Sequence, residues 1–313
     1  MKLIKKAYQE NDFLRIRDFL KRTYHEEDRH HNWLIDRWNF TRYVGQVMHN
    51  TVEVWPATVG IFENAEGSIL AVVNSEGEVV NRDAGHAFFQ FENIDFSDEN
   101  LLSMIKHAET HFPIVKDGIS KLYMHIGPDQ LRFKALITEL GYKQTGYKEF
   151  LSMIEIDDRH EVELPEVYKI VDSTIFTDGM KGFAHGKAFG YYKGDTPDDD
   201  DSMLAFRSLR NAPDYDETLD LAVLDPNGEI AAFAGFWYDD QNQIGILEPL
   251  GTVPKHRKLG LAKALIYEGM NRLLKKGAHK LYVGSNQEAY KKIGFKELYY
   301  QEIWLKEEVI QSK

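Results

Sequence analysis

One supersecondary pattern occurs twice in the chain, and this duplication constrains the fold more than any other feature. Val59–Ala71 and Leu221–Ala232 both read as a strand, a tight acidic turn closed by glycine, and a second strand. Farther along each half, the tripeptide Lys121-Leu122-Tyr123 recurs as Lys280-Leu281-Tyr282. Because strand–turn–strand patterns are common, the order of the matches matters more than any one of them.

A third match completes the series, since Ile137–Glu149 aligns without gaps on Tyr290–Glu302. The three matches come in the same order, so the sequence predicts two copies of one fold. The polar, charged segment Asp157–Pro165 separates the copies, and we expect domains over residues 1–157 and 158–313. The length of 313 residues agrees with this, because one typical domain has roughly 100–200 residues.

Local hydrophobic patterns predict helices and strands in both halves. Apolar residues recur at helical spacing in Asp12–His25, Leu101–His111 and Leu261–Lys275. Runs rich in β-branched and aromatic residues predict strands at Thr58–Glu63, Ile69–Asn74, Leu219–Leu224, Ile230–Tyr238 and Lys280–Val283. The sequence therefore predicts a mixed α/β fold.

Composition restricts the classes of function. The chain contains no cysteine, which excludes disulfides, thiolate metal ligands and a cysteine nucleophile, and we expect no metal. The formal net charge of -12 argues against sequence-independent binding of nucleic acid or of an anionic membrane. Met1–Lys6 has no apolar core of a signal peptide, and no stretch approaches the ~18 apolar residues of a membrane span. We therefore expect a cytoplasmic protein.

A basic, glycine-containing turn joins a strand to a helix in the second half. The strand ends near Leu250–Val253, and Gly260 precedes the helix Leu261–Lys275. The first N–H groups of a helix have no partner within it, and together with the helix dipole they form a site for phosphate. Arg257 and Lys258 would add positive charge beside that phosphate. The turn therefore predicts a pyrophosphate site.

The same segment resembles the acetyl-CoA loop of the GCN5-related N-acetyltransferase (GNAT) family. Arg257, Gly260 and Ala262 fill the family's pattern Arg/Gln-x-x-Gly-x-Gly/Ala, and Leu250–Pro254 resembles the strand before it. The resemblance implies two tandem domains, each with a central, mostly antiparallel sheet flanked by helices, and acetyl-CoA as co-substrate. The residues it implies for coenzyme binding are Leu250, Gly251, Thr252, Val253, Arg257, Lys258, Leu259, Gly260, Leu261, Ala262 and Asn286.

A second motif follows the strand Lys280–Val283. The run from Tyr290 through Gly294-Phe295 resembles the Tyr-x-x-x-Gly-Phe end of the family's second signature, in a shortened form that starts at Asn286. The resemblance implies that Asn286 contacts the pantetheine, and its residue type also suits the cap of a short helix. The resemblance further implies that Tyr290 protonates the departing coenzyme A thiolate. A phenol with a pKa of about 10 carries the proton that this role requires.

Transfer to an amine also requires a base, because a lysine-type amine with a pKa of about 10.4 is mostly protonated. Glu248 lies on the strand that leads into the loop, where the alternation of side chains would point it into the cleft. Pro249 beside it could break that register, and glutamates at exposed strand ends are common. Glu248 is therefore the candidate base, with an exposed, non-catalytic position as the alternative.

The matching segment of the first half lacks these features. Gln90–Asn100 precedes the helix Leu101–His111 and contains neither glycine nor a basic residue, but it has four acidic side chains. Negative charge there would repel a pyrophosphate. Ile137 stands at the position of Tyr290 and cannot donate a proton. The first half is therefore predicted to be a degenerate copy without a coenzyme site.

Two functions remain open from the sequence. The first is an N-acetyltransferase that attacks acetyl-CoA directly, in a ternary complex, with a primary amine of a small cationic substrate. The second is a non-catalytic acyl-CoA-binding or interaction module. The patch Asp195–Asp201 is either a solvated loop or an acidic lip that attracts a cation. The glycine- and aromatic-rich Gly182–Tyr192 is expected to form a mobile lid, and a homodimer is left open.

Overall fold

The computed structural model of the chain describes residues 3–24, 32–77, 82–192 and 201–310. The strands are β1 Ile4–Ala7, β2 Gly60–Glu63, β3 Ile69–Asn74, β4 Gly85–Phe91, β5 Ile114–Lys116, β6 Ile119–Ile126, β7 Lys143–Glu155, β8 Lys169–Asp172, β9 Asp220–Leu224, β10 Ile230–Asp239, β11 Ile244–Thr252, β12 Lys280–Val283 and β13 Lys296–Val309. The α-helices are α1 Asp12–Arg22, α2 Ile35–Phe40, α3 Gln46–Met48, α4 Asp98–His111, α5 Leu131–Glu139, α6 Asp178–Phe189, α7 Asp201–Leu209, α8 Leu261–Lys276 and α9 Glu288–Ile293. Shorter turns are the π-helical Thr41–Gly45 and the 3-10 turns Trp55–Thr58 and Pro254–His256.

The predicted mixed α/β fold is confirmed, and the repeated patterns occupy matching places in it. The two predicted hairpins are β2–β3 and β9–β10, each an antiparallel pair. The recurring Lys-Leu-Tyr tripeptides lie in β6 and β12, which pair in parallel with β4 and β11. The strand register also agrees between the two copies, because Gly85 pairs with Leu122 in the first and Gly245 pairs with Leu281 in the second. The repeat in the sequence is therefore a repeat of strand connectivity.

The chain divides into two compact units, and neither is a continuous stretch. The first unit comprises Met1–Leu34, His49–Phe150 and Leu298–Lys313, and the second comprises Ile35–Met48 and Leu151–Glu297. A single cut between residues 157 and 158 does not reproduce these units, because each contains chain from both sides of it. The boundary at Asp157–Pro165 describes where one sequence copy ends and the next begins, and as a domain boundary it stays a prediction. The segment itself holds no helix or strand.

The first unit is a sheet with one helical layer described against it. Its strands follow the order β1-β2-β3-β4-β6-β13, in which only β4 and β6 are parallel neighbours. Phe89 of β4 and Met124 of β6 point to one face and form a core with Ile105 of α4 and Phe133 of α5. Residues Glu302–Val309 of β13 pair with β6, so the end of the chain completes this sheet.

The second unit is a sheet covered on both faces. Its strands follow the order β7-β12-β11-β10-β9-β8, and only β11 and β12 are parallel. Leu221 and Ala232 belong to the core that contains α8, whereas Ala222 and Phe233 belong to the core that contains Ala184 of α6. Because neighbouring residues of a strand point to opposite faces, α8 and α6 cover opposite faces of the sheet.

A helical segment from the first half of the sequence completes this second unit. Ile35–Met48 belongs to it. α2 packs against β10 and β11, while the π-helical turn and α3 pack against α7. Asn39 donates a hydrogen bond from Nδ2 to Asp214 Oδ2 over 2.8 Å. The unit that carries the basic turn is therefore built from both halves of the sequence.

The expectation of a mobile lid at Gly182–Tyr192 is wrong, because most of that stretch is helix α6. The helix begins where the Thr177 hydroxyl accepts a hydrogen bond from the Met180 amide over 3.2 Å. Gly182 lets α6 approach α7 closely, since a Cβ there would lie 2.9 Å from the backbone nitrogen of Met203. Glycine in this stretch thus serves helix packing rather than mobility.

Two further observations concern the expectations from composition. Residues 195–200 of the aspartate-rich patch lie outside the described residues, and Asp201 begins α7. Among the helices of the described ranges, none has both the length and the apolar character needed to cross a bilayer.

Candidate functional site

Strands β11 and β12 run together for only a short distance and then separate. Their parallel pairing covers Ile244–Ile246 against Lys280–Tyr282. β11 nevertheless continues to Thr252, where it still pairs with Ala232 of β10. The later part of β11 therefore presents to the neighbouring gap a backbone edge that β12 does not pair. A gap between parallel strands with such an edge can accept an extended, amide-containing ligand arm.

An irregularity in β11 lies at this point of separation. β10 pairs Ala234 with Leu250 and Phe236 with Leu247, so β11 has one more residue than its partner between these pairs. The Trp237 indole donates a hydrogen bond to the Glu248 carbonyl over 2.9 Å and fixes the irregular residue. Such a bulge re-aims the side chains around it. The proline that could have broken the strand is therefore accommodated within it.

The basic turn lies directly after β11 and leads into α8. Its backbone is left-handed at Lys258 and Gly260, with φ of 66° and 78°. A Cβ at Gly260 would meet nothing within 4 Å, so glycine is required there for conformation and not for space. α8 begins at Leu261 without a side-chain cap. In the described chain, the first-turn N–H groups of this helix thus lack a capping side chain and remain donors for a ligand.

The other residues predicted to bind the coenzyme differ in how far they are buried. Leu261 is buried in the core with α8, so it can offer a ligand only its backbone, whereas Lys258 and Leu259 are exposed. Burial alternates along the strand: Gly251 and Val253 are buried, and Leu250 and Thr252 are half-buried. Ala262 on α8 is also half-buried.

Arg257 organises the turn as well as adding charge to it. Its guanidinium donates to the Thr252 carbonyl over 3.2 Å and to the Ala188 carbonyl over 2.8 Å. These contacts connect the turn to the end of β11 and to the last residues of α6. The side chain is still exposed, so its positive charge remains beside the turn.

The same turn is held in place by a buried histidine, His256, which the sequence analysis missed. His256 Nδ1 lies 2.9 Å from the Tyr168 hydroxyl, and its Nε2 lies 3.6 Å from Asp225 Oδ2. Burial lowers the pKa of His256, as does the charge of the neighbouring Lys255. A neutral imidazole between a phenol and a carboxylate holds the turn in place without adding a charge. In the sequence, His256 was interpreted only as part of the basic run Lys255-His256-Arg257.

A cavity of about 430 Å³ opens beside Gly260. One wall consists of Leu259, Gly260, Lys263 and Tyr267, and the other consists of Glu161–Pro165 from the segment between the sequence copies. The sequence predicted only a boundary in that segment. In the structure it forms part of the wall next to the basic turn.

The two predicted catalytic side chains interact electrostatically. Burial raises the pKa of Tyr290 to about 12, and the charge of the Glu248 carboxylate adds to this shift. Tyr290 is half-buried and packs edge-on against Phe295, with ring centroids 5.6 Å apart. Glu248 is half-buried at the bulge of β11. The structure therefore brings together a protonated phenol and a carboxylate that are 42 positions apart in the sequence.

The predicted capping role of Asn286 is wrong. The residue at the N-cap of α9 is Gln287, and no side chain caps this helix. Asn286 instead donates from Nδ2 to Glu297 Oε1 over 3.1 Å. A contact between Asn286 and pantetheine stays a prediction.

The first unit differs from the second at the matching helix. The hydroxyl of Ser97 accepts a hydrogen bond from the Asn100 amide over 3.3 Å and caps α4. Ile137, which aligns with Tyr290, is fully buried in the core. The amide donors that α8 leaves uncapped are therefore partly satisfied in α4, and an apolar side chain replaces the phenol.

Comparison with known proteins gives three structural similarities. A GCN5-related N-acetyltransferase from Sphaerobacter thermophilus has a TM-score of 0.62 and 14% identity, with 97% of this chain and 95% of that chain covered. A tandem GNAT protein from the clavulanic acid biosynthesis pathway has a TM-score of 0.62 and 11% identity, with 98% of each chain covered. The glucosamine N-acetyltransferase region of a fungal multi-domain GH3 beta-N-acetylglucosaminidase has a TM-score of 0.56 and 12% identity, with 97% of this chain and 38% of that chain covered.

Sequence comparison agrees with the likeness in fold. The sequence model of the Acetyltransferase (GNAT) family matches residues 187–295, which include β11, the basic turn, α8 and Tyr290. No curated protein matches the chain. The chain therefore has the fold of these tandem proteins, and its similarity to the GNAT family model lies in the second half.

Proposed function

We propose that the second unit transfers an acetyl group from acetyl-CoA to a primary amine of a small cationic acceptor, by direct attack in a ternary complex. The observation that carries this proposal is the electrostatic interaction between Glu248 and Tyr290, in which the charge of the carboxylate contributes to the raised pKa of the phenol. Both side chains lie near the gap between β11 and β12, so a base and an acid are available at one end of it.

Acetyl-CoA would bind with its pyrophosphate at the basic turn and its pantetheine in the gap. The uncapped amides at Leu261 and Ala262 would donate to the phosphates, and Arg257 and Lys258 would supply the positive charge. The pantetheine amides would pair with the free edge of β11. A β11 amide near Leu250–Thr252 would then polarise the thioester carbonyl as an oxyanion donor.

Starting from an ammonium, the transfer removes two protons from the nitrogen, of which one is released to solvent and one reaches the sulfur. Glu248, directly or through a water, would take the first proton from the ammonium and pass it to solvent, and it would take the second N–H proton as the carbon–nitrogen bond forms. The neutral nitrogen then attacks the thioester carbonyl carbon, and the carbon–sulfur bond breaks to release the thiolate. Tyr290 would donate to that thiolate. The products are the N-acetylated amine and the free thiol of coenzyme A.

The raised pKa of Tyr290 determines how it can act. At about 12 it lies some 3 to 4 units above an ordinary thiol of about 8.5. The phenol therefore keeps its proton before reaction and meets the forming thiolate first as a hydrogen-bond donor. Full transfer would be assisted by the proton held on Glu248, which lies beside the phenol. The acid and the base would thus act as a pair.

The acceptor is assigned to cationic small molecules because of charge. The chain has a net charge of -12, and the proposed base is a carboxylate. The same charge does not favour nucleic acid or an anionic membrane as a partner. We propose a cytoplasmic location for this reaction.

The alternative is a unit that binds acyl-CoA without turning it over. Capping of α4 in the first unit and exposure of the α8 donors in the second would fit binding alone. The paired Glu248 and Tyr290 favour chemistry, because coenzyme binding requires neither a base nor a phenol.

A thiol-release assay with acetyl-CoA against a panel of primary amines tests the proposal. We expect amine-dependent release of free thiol by the intact chain, with the matching N-acetylated product found by mass spectrometry. Release that does not depend on any amine, together with tight acetyl-CoA binding, would establish the binding module instead.

A further inference from the structure

The cavity beside the basic turn extends along one side of α8. Gly260, Lys263, Ala264 and Tyr267 all line it, and their helical spacing places them on one face of the helix. Gly260 and Tyr267 are seven positions apart, which corresponds to about 10 Å along the axis. The volume of about 430 Å³ lies within the range of small-molecule sites, roughly 300–1,000 Å³. A ligand held by the amides at the turn therefore has space to extend along α8.

The opposite wall, residues 161–165, is attached to α8 through the residue before it, His160. The buried Asn271 side chain accepts a hydrogen bond from the His160 amide over 2.8 Å and donates one to the His160 carbonyl over 2.9 Å. The His160 ring also stacks on Tyr267, with ring centroids 4.5 Å apart and 16° between the planes. These contacts hold the wall against the helix, so the cavity is preformed.

Aliphatic side chains line both walls of the cavity. Leu164 and Pro165 lie on one wall, and Leu259 and Ala264 lie on the other. Leu259 is 44% exposed although it is apolar, and a flat ring bound between the walls would cover part of it. Apolar surface on both sides therefore suits a planar aromatic base.

The charged residues of the cavity restrict what this base can carry. Glu161 and Glu163 are exposed carboxylates, which offer acceptors and no donor. Together with Lys263, the described lining carries two negative charges and one positive charge. This balance opposes a phosphate in the cavity, whereas the amino group of a neutral base can donate to either carboxylate. The phosphates of a nucleotide would therefore stay at the turn, beside Arg257 and Lys258, while its base occupies the cavity.

We propose that this cavity binds the adenine base of the coenzyme, and that the exocyclic amino group of the base donates to Glu161 or Glu163. The inference rests on the proposed binding of acetyl-CoA and adds a specificity site for its nucleotide. The wall of residues 161–165 lies outside residues 187–295, the part of the chain that matches the family model. The segment between the two sequence copies thus selects a donor that carries an adenine nucleotide.

Calorimetric titration of two nucleotides into the full chain tests the inference without requiring turnover. ADP contains the base, ribose and diphosphate that acetyl-CoA would place here, and ethenoadenosine diphosphate keeps the aromatic ring but lacks the amino hydrogens. We expect ADP to bind about tenfold more tightly than the etheno analogue, as for one hydrogen bond to a charged group. Saturating coenzyme A should abolish the binding of both nucleotides, because they would occupy the coenzyme site.

The ratio of the two dissociation constants is the readout, because removing negative charge strengthens the binding of both diphosphates alike. In the double variant Glu161→Met/Glu163→Met, which lacks both acceptors, the ratio should fall to within about twofold. Glu166→Met removes an exposed carboxylate just after the wall and should keep the tenfold ratio.

Thermal unfolding shows whether the double variant folds. Equal binding of the two nucleotides by the intact chain, or a tenfold ratio that survives in the double variant, overturns the inference. Failure of the proposed function has a different sign, namely a clear preference for ADP in a protein that releases no thiol from acetyl-CoA with any amine.

Discussion

At the scale of single residues, the Tyr290 hydroxyl is the most direct test of chemistry. Tyr290→Phe removes one oxygen and leaves the ring packed against Phe295. We expect kcat to fall about 100-fold or more, as for loss of a general acid, while the Kd for acetyl-CoA stays within about twofold. Steady-state thiol release and calorimetry measure the two quantities. Tyr238→Phe is the matched control, because that hydroxyl donates to the Lys276 carbonyl at the far end of α8. An unchanged kcat in Tyr290→Phe would remove this residue from the mechanism.

A buried histidine of the first unit predicts how stability changes with pH. His107 Nε2 lies 2.7 Å from the Thr58 carbonyl, and burial lowers the pKa of this histidine to about 4. The unfolded chain, with a pKa of about 6.5, takes up a proton as the pH falls below that value, whereas the folded chain does not until about 4. The free energy of unfolding should therefore fall by about 1.4 kcal/mol per pH unit over that window from His107 alone.

The measurement compares urea unfolding at pH 7 and pH 5 for the intact chain and for His107→Gln. The loss of stability between the two values should be smaller by about 2 kcal/mol in the variant, because glutamine does not titrate. His86 and His185, whose pKa values are also lowered by burial, should leave the remaining slope in place. Equal slopes in the two proteins would show that His107 is protonated in the folded chain.

At the scale of elements, the role of the turn between β11 and α8 in coenzyme binding can be tested separately from the backbone strain that a side chain causes at a left-handed glycine. Gly260 has a φ of 78°, and Gly228, in the turn between β9 and β10, has a φ of 80°. A Cβ at either position would meet nothing within 4 Å. Valine at either position should therefore cost a similar stability, roughly 1–3 kcal/mol. Only Gly260→Val should also weaken acetyl-CoA binding, by about tenfold or more, because the amide donors depend on that backbone conformation. Melting temperatures with and without acetyl-CoA measure both effects, and equal loss of ligand stabilisation in the two variants would contradict the role of the turn.

The elements that sequence patterns predicted correctly are those that local chemistry determines. The hairpins, α8 and the turn before it follow from glycine positions, strand alternation and helical spacing. β11 was predicted only near its end, from Glu248 to Val253. The strand starts at Ile244 and passes through a bulge beside Pro249. α6 was misread because glycines that serve close packing against α7 look like those of a loop.

At the scale of the whole molecule, what the sequence could not predict is which segments share a core. Asn39 and Asp214 are 175 positions apart, yet they form one hydrogen bond in the second unit. The helical segment Ile35–Met48 carries no local pattern that points to β10 and β11. Such an assignment depends on long-range contacts. The repeated motifs describe the order of segments along the sequence, and the two units describe which segments pack together in the fold.

The composition of the units leads to a prediction about separating the two sequence copies. A fragment of residues 158–313 keeps β11, the basic turn and Tyr290 but loses two parts of its own unit. It lacks Ser152–Glu155, which pair with β12 from Val283 to Lys280, and it lacks the α2–α3 segment. The core residues Leu281 and Val283 would then lie on an unpaired edge strand. We expect no cooperative thermal unfolding from this fragment and acetyl-CoA binding at least about 100-fold weaker than in the intact chain.

The control keeps every residue and breaks only the covalent connection. A protease site inserted after Asp158, cleaved once the protein has folded, leaves both pieces in their units, because residues 157–165 contain no helix or strand. The cleaved protein should retain its melting temperature within a few degrees and its Kd for acetyl-CoA. If the isolated fragment instead melts cooperatively and binds acetyl-CoA as the intact chain does, the segments from the first half are dispensable. The boundary predicted from the sequence would then also be the boundary of folding.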